Sequence, residues 1–250
     1  MKKTKKRLLY GAAVVFWLVV WQLAAMAIGQ EVFLVSPIQA LGTLLELLPQ
    51  PEFWQRIGFS AGRILLGFLL GAVSSVVLAV AAERWAWVEA LLSPVMQLVK
   101  ATPVASFIIL ALVWVSGKSL SILISFLMVL PVLYGAVRTG LESADPQLLE
   151  MARVFRVPLG RRLRGIYLSQ VMPYFRTAVS LGLGLCWKAG AAAEIIGLPA
   201  GSMGERLYTA KVYFQTADLF AWTVTIVAVS VVFERLFLAL VDRLMGKAGL

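Results

Sequence analysis

Asp145-Pro146-Gln147-Leu148-Leu149-Glu150-Met151-Ala152-Arg153-Val154-Phe155-Arg156, continuing through Val157-Pro158-Leu159-Gly160 to Ile166-Tyr167-Leu168-Ser169, is a polar stretch between two long apolar ones. Asp145 is a good N-cap and Pro146 a good first helical residue, so a short helix is predicted to start there. Leu148, Leu149, Ala152 and Phe155 recur at three- and four-residue spacing and give that helix an apolar face. About ten residues are too few for a helix to be stable alone in water, so this one needs a surface to dock against.

What flanks it is strongly apolar. Of 250 residues 60% are hydrophobic and only 14% charged, with mean hydropathy +0.87. A soluble domain carries nearly twice that charge, so a water-soluble globule is excluded. At about 20 apolar residues per crossing the chain has room for roughly five to seven membrane helices. Histidine is absent and Cys186 is the single cysteine. Histidine acid–base catalysis, His/Cys metal sites and an intrachain disulfide are thereby removed together. A lone buried thiol behaves as a small hydrophobe.

Apolar runs place spans at 8–28, 57–82, 93–115, 119–137, 165–193 and 217–240. The expectation is an all-α polytopic membrane protein of about six transmembrane helices, a single permease-like domain over 1–250, with a cytoplasmic loop at 138–164. Ala86–Gln97 is amphipathic and carries Pro94, so the third span is expected to begin as an interfacial helix broken there. Pro103, Pro131 and Pro173 fall at or inside spans and invite kinks.

Charge orients these spans. Lys2, Lys3, Lys5, Lys6 and Arg7 precede the first. A cleaved signal peptide ending near Ala25-Met26-Ala27 is the competing reading of this segment, against which stands an apolar run longer than the usual signal core. Residues 138–164 carry arginines at 138, 153, 156, 161, 162 and 164 against Glu142, Asp145 and Glu150, a net of +3. Residues 29–57 carry Glu31, Glu46 and Glu52 against Arg56, a net of −2. By the positive-inside rule the first loop is cytoplasmic, the second external, and both termini are inside.

Small residues at Gly58-x3-Gly62, Gly67-x3-Gly71 and Ala178-x3-Gly182 let helix backbones approach, within one bundle or between subunits. Arg63, Lys100, Arg176, Lys188 and Glu194 fall within or at the edges of spans, where a charge costs roughly 2.5–3.5 kcal/mol at a helix centre. Snorkelling or headgroup pairing accounts for Arg63, Lys100 and Arg176 as well as a path role does. Lys188 lies deeper, beside Trp187, and Glu194 falls on a different helical face. Trp187, Trp114 and Tyr134 are candidate stacking residues.

The loop resembles the signature of bacterial ATP-binding-cassette importer permeases, Glu-Ala-Ala-x3-Gly-x9-Ile-x-Leu-Pro. Glu150, Ala152, Ile166 and Leu168 are in register, and a second proline falls at Pro173. Met151, Arg156 and Ser169 depart from it. The motif's Gly makes a turn, so Arg156 either accepts a left-handed conformation at roughly 1 kcal/mol or the turn moves to Val157-Pro158-Leu159-Gly160. Nearly the whole chain is similar to the nitrate/sulfonate/taurine-type permeases. Ser36-Pro37, Arg63 to Phe68, Lys100-Ala101-Thr102-Pro103, Leu183 to Trp187, Ala193 to Gly197, Phe220-Ala221-Trp222 and Phe233-Glu234-Arg235 carry that likeness.

The resemblance implies a type I importer permease fold in a bacterial inner membrane. It implies an identical second permease chain, two cytoplasmic ATPase subunits, an external substrate-binding protein, the lipid bilayer and no nucleic acid as partners. It makes the short helix a coupling helix, with Leu149, Glu150, Ala152, Arg153, Phe155 and Arg156 as ATPase contacts. Lys188, Trp187, Glu194 and Lys100 are the candidate substrate path, with Lys188 as a lining cation suited to a small anion such as a sulfonate, nitrate or bicarbonate; the family also includes carriers of small organic precursors, which the aromatic residues could stack. Glu150 paired with Arg153 or Arg156 along its own helix is the alternative. The chain has no Gly-x4-Gly-Lys-Ser/Thr loop, so ATP binds the partner ATPase; no cofactor or metal of its own is expected and the chain is not itself an enzyme. Residues 194–218 are too polar to span and read as an external loop with a short helix at 203–214. A self-contained carrier or channel driven by an ion gradient is the rival function.

Overall fold

A computed structural model describes residues 2–248, apart from the side chains of the N-terminal basic run and a few near the C-terminus. The chain is helical throughout, with no strand among the described residues. Helices α1 (Lys2–Ile28), α3 (Pro51–Arg84), α6 (Gly117–Glu142), the run Leu159–Gly197 and α11 (Thr216–Ala248) are long and apolar enough to cross a membrane. Between them lie α2 (Pro37–Leu47), α4 (Ala86–Ala101), α5 (Val104–Ala111), α7 (Pro146–Val154) and α10 (Met203–Val212). The Leu159–Gly197 run comprises a single turn, α8 (Leu159–Arg162), a π-helical turn at Leu163–Leu168, and α9 (Ser169–Gly197).

The third span departs from the sequence expectation. Pro94 sits inside an unbroken α4, and the break falls at Thr102-Pro103, where α4 and α5 meet at 105°. A proline disfavours the helical region for the residue before it, and Thr102 is extended at φ −78°, ψ 129°. At 1.5 Å per residue the two arms are about 24 and 12 Å long, so neither crosses a hydrocarbon layer of about 30 Å alone. Together they still carry the chain from one end of the bundle to the other. Glu83 and Glu89, flanking the α3–α4 turn, both pair with Arg138 near the end of α6. Gly117, at the start of α6, touches Gly197 at the end of α9. Pro131 and Pro173, by contrast, lie inside continuous helices.

The core is a three-helix stack of α3, α6 and α9. Half of the apolar stretch of α6 and 56% of that of α9 is buried, against 6% for α1 and 11% for α11. A Cβ on Gly67 would collide with the carbonyl oxygen of Ile122 and stand 2.8 Å from Cβ of Ser125, so α3 and α6 touch backbone to backbone there. Gly71 continues that contact one turn on, beside Val129. Ser75 Oγ donates to Leu130 O at 2.8 Å and Ser125 Oγ to Cys186 O at 3.3 Å, so buried hydroxyls stitch the three helices without orphaning themselves. Phe68, Val129, Leu183, Trp187 and Trp222 fill the space between.

Gly58 and Gly62, on the same helix, meet nothing within 4 Å. Of the sequence's small-residue pairs, therefore, only Gly67/Gly71 makes a close approach of backbones inside the subunit. Gly67→Val is expected to cost about 1–3 kcal/mol by overpacking and to lower the thermal midpoint of the detergent-purified protein. Gly58→Ala and Gly62→Ala should leave that midpoint within error, and equal shifts at all three positions would contradict the packing described.

Candidate functional site

At one end of the bundle α7 is laid down by its caps. The Asp145 carboxylate accepts from Gln147 N at 2.8 Å and Pro146 opens the helix. Its far end closes with Arg156 at φ +49°, Phe155 N donating to Met151 O and Val157 N to Ala152 O, each at 2.9 Å. This is the 6→1 bond of a glycine-type helix stop, made with an arginine in the left-handed position. Of the two turn geometries open from the sequence, the chain therefore takes the strained one.

The stop decides which residues face outward. Ala152 is 2% exposed and Leu149 half-buried, so these two pack inward. Of the four residues expected on one apolar face, Leu148 and Phe155 instead lie outward, Phe155 past the last turn, where the reversal at Arg156 leaves it 75% exposed and free to meet a partner. Leu148, Met151 and Val154 are exposed with it, and so is Leu159 after the turn. Sequence reading misses Met151, Val154 and Leu159, because apolar periodicity marks the buried stripe and carries no signal for an apolar surface. Glu150, Arg153 and Arg156 are exposed, and no ion pair of Glu150 is found among the described residues. The end result is an outward apolar ridge with the Glu150 carboxylate at its flank, one turn before Val154, and guanidinium groups at its end.

Behind this ridge Arg138 gathers three helices. It reaches Glu83 at 2.6 Å, Glu89 at 2.8 Å and Glu142 at 2.8 Å with only 13% of its side chain exposed. One cation thus ties α3, α4 and α6 at the end from which α7 departs.

The residues expected along a substrate path separate into two groups. Lys188 is exposed, on the α9 face that also shows Leu181 and Leu185. Lys100, likewise exposed, lays its amine over α6 at Gly135, 3.8 Å from where a Cβ would stand. Beside Gly135 a groove of about 440 Å³ runs between α6 and α9, lined by Ala136, Thr139, Tyr174, Thr177 and Leu181. Trp187 and Glu194, at 2% and 1% exposure, point into the subunit. Trp187 packs on Phe233 at 5.7 Å between centroids, so helical rotation by one residue puts Lys188 outside and Trp187 in the core. Tyr134 is buried as well, while Trp114 is exposed in the turn after α5. Arg176 is held by Asp242 through two hydrogen bonds of 2.5 and 2.9 Å, and Arg63 stacks over Phe59 at 4.7 Å. No cluster of three or more metal-ligating side chains occurs among the described residues.

At the opposite end α10 is fastened across α3. Its N-cap Ser202 accepts from Glu205 N at 2.9 Å, and the helix runs from Met203 to Val212, two residues short of the expected end. Glu205 accepts from Arg56 at 2.8 Å and from Gly201 N at 2.7 Å. Partial burial pushes the Glu205 carboxyl up, but the Arg56 hydrogen bond and the Gly201 N–H outweigh it and hold it below the ordinary 4.5.

The sequence model for the binding-protein-dependent transport system inner membrane component matches residues 67–246. A putative aliphatic sulfonates transport permease protein of Bacillus subtilis is 26% identical over 231 residues, 91% of this chain and 83% of its own. A taurine transport system permease protein of Escherichia coli is 24% identical over 245 residues, 96% and 89% of the two chains. A bicarbonate transport system permease protein of Synechococcus elongatus is 25% identical over 193 residues, covering 76% and 68%. The crystal structure of an amino acid ABC transporter with histidines superposes with a TM-score of 0.61 at 14% identity, covering 79% of this chain and 94% of that one. That likeness is one of fold.

Two outcomes follow from the caps and the latch. Arg156→Gly should relieve the left-handed strain and slow amide exchange at the end of α7 by an amount worth about 1 kcal/mol; faster exchange would show that Arg156 makes compensating contacts. Because the folded Glu205 carboxyl titrates below its ordinary 4.5, its bond to Arg56 contributes fully above that value and is lost as pH falls through the lower folded one. Protease protection of the α10 segment should accordingly fall below pH 4.5, and Glu205→Gln should make that protection insensitive to pH in this range.

Proposed function

Because the chain belongs to the family of binding-protein-dependent transport system inner membrane components, we propose that α7 is the element through which separate ATPase subunits drive it. The protein is the membrane-spanning permease subunit of an ATP-driven importer, multi-pass and all-helical, and carries no ATP-binding loop of its own. The observation that carries the coupling assignment is the exposed apolar ridge of Leu148, Met151 and Val154 on α7, extended by Phe155 past its end and flanked by Glu150 one turn before Val154, which lies open at one end of the bundle. An exposed apolar ridge flanked by a charge matches what a protein groove desolvates and a solvated loop does not need. A gradient-driven carrier would leave that ridge without an occupant.

The end bearing α7 is the cytoplasmic end, which fits its arginines and sets both termini inside. Two copies of this chain, two ATPase subunits and an external binding protein make the working assembly. ATP is held by the ATPase partners, and no cofactor is required of the permease. Glu150 and Leu149, with Ala152 and the Arg153–Arg156 turn, hold and terminate the helix that enters the ATPase groove, while Phe155 enters it.

The path is proposed on the open side of α6 and α9, with Lys188 and Lys100 as its cations. A single ammonium on an apolar helix face favours a small anion and is costly in lipid, which supports placing it against water and substrate. The relatives are named for the transport of aliphatic sulfonates, taurine and bicarbonate, each a small molecule with an anionic oxygen group, and a small oxyanion of this kind is the proposed cargo class.

Glu150→Lys should leave the protein inserted and folded while weakening ATPase retention, since reversing a charge in a desolvated interface costs about 2–5 kcal/mol, more than tenfold in affinity. Co-purification of the tagged protein with its ATPase from detergent checks this, together with uptake at matched expression. Wild-type retention and uptake in Glu150→Lys would overturn the assignment.

A further inference from the structure

Glu194 is the most deeply buried charged residue in the described chain, at 1% exposure, and its position on the inner side of α9 excludes it from the groove. Three elements, α3, α10 and α6, close on it. From α3, Ser60 Oγ donates to Glu194 Oε2 at 2.6 Å. From α10, Met203 N donates to that same Ser60 Oγ at 2.9 Å, so the hydroxyl relays the first amide of α10 to the carboxylate. Gly204 lies against the α9 backbone at Glu194 and Ile195 so closely that a Cβ would stand 2.6 Å from the Glu194 carbonyl carbon. From α6, Ser121 is fully buried nearby, and Gly117 abuts Gly197 one turn beyond Glu194. Arg63 extends from α3 to the Gly117 carbonyl at 3.4 Å.

Glu194 Oε1 and Ser121 Oγ have no partner within ordinary hydrogen-bond geometry among the described residues, yet the Ser121 hydroxyl and the Gly204 N–H both act on the Glu194 carboxyl. Nearly all buried polar atoms in folded proteins are hydrogen-bonded, and a carboxylate oxygen held only by long contacts raises the energy of the state that holds it. The α3 and α10 side of the joint is made at full hydrogen-bond length, while the α6 side, through Ser121, is only loosely made. A joint fully satisfied on one side only is one that a second arrangement of α6 and α9 can complete.

We propose that Glu194 is a positioning residue that ties α10 to the path helices, so that movement of α6 and α9 driven from the α7 end shifts α10 at the other. The proposal rests on the ATPase-coupling assignment for α7. It makes α10 a mechanical part of the transport cycle, fastened to α3 through Arg56–Glu205 and to α9 through Ser60–Glu194. Arg63 contributes by holding the first turn of α6 to α3 and touches neither carboxylate oxygen.

The test uses the assembled permease–ATPase complex in nanodiscs, with hydrogen exchange followed at α7 (146–154) and α10 (203–212) before and after trapping with ATP and vanadate. In wild type both helices should change on trapping, α10 by about tenfold in exchange rate. In Glu194→Ala the α7 response should persist while that of α10 falls to less than about twofold. Glu194→Gln keeps an oxygen for Ser60 and gains an amide donor for Ser121, and should retain the α10 response. If Glu194→Ala does not assemble, Ser60→Ala cuts the same joint from α3 and should also silence α10. An α10 response in Glu194→Ala or Ser60→Ala equal to wild type overturns the proposal. So does a wild type in which α7 responds and α10 does not. If α7 itself fails to respond in wild type, the coupling assignment falls, and this proposal with it.

Discussion

Lipid offers helices no hydrophobic reason to associate, because acyl chains are as apolar as leucine. What holds this subunit together is backbone approach: α3 reaches α6 at Gly67 closely enough that no side chain fits, and every other feature hangs on that contact. It sets the spacing at which Ser75 reaches the Leu130 carbonyl and Ser125 the Cys186 carbonyl. It fixes the α6 and α9 faces between which the groove opens. Outside the stack, α1 is held at its edge, where Trp21 donates to Val35 O at 3.0 Å and packs on Phe220, whereas α11 sends Trp222 into the core, packs Phe233 on Trp187 and pairs Asp242 with Arg176. The consequence is a three-helix centre backed by α11, with α1 on the outside.

The two ends of that centre are built differently. At the α7 end a single guanidinium, Arg138, draws three carboxylates from three helices. At the α10 end a single carboxylate, Glu194, draws the Ser60 hydroxyl and, through it, the Met203 amide toward one point. The partners of Arg138 are half in solvent, so its network exchanges with water at little cost. Glu194 is 1% exposed, and each bond it makes or lacks counts in full. The wet joint thus ties α3, α4 and α6, while α9, unbroken from Ser169 to Gly197, carries the dry one at its head.

Most of this fold is legible because membrane helices announce themselves by length and apolarity. The third span is not, since hydropathy is blind to direction: 93–115 is apolar on both sides of Thr102-Pro103, and the restriction that Pro103 places on Thr102 favours the elbow. Pro94, the proline that sequence reasoning weighted, is absorbed by its helix. At the candidate site, Asp145 and Pro146 are readable from capping chemistry, whereas the turn at Arg156 is one of two that the sequence leaves open. The helix ends before Phe155, which periodicity cannot foresee, and the turn carries that residue outward. Trp187 and Lys188 show the same limit from the other side: adjacent residues in one span, one in the core and one at the surface, with nothing in their identities to say which way the helix is turned.

Arg138 also has a history within the life of the chain. Orientation of membrane helices is decided on the emerging polypeptide, and acidic residues count for little in that decision. In the orientation proposed for α7, Arg138 therefore weighs, while α6 is being inserted, as an unopposed positive charge holding the following loop on the synthesis side. Once α3 and α4 have packed, Glu83, Glu89 and Glu142 enclose it, and the folded protein shows that charge to almost nothing. One arginine thus serves first as an address and later as a rivet, and the residue that steers the chain into place is spent in locking it there.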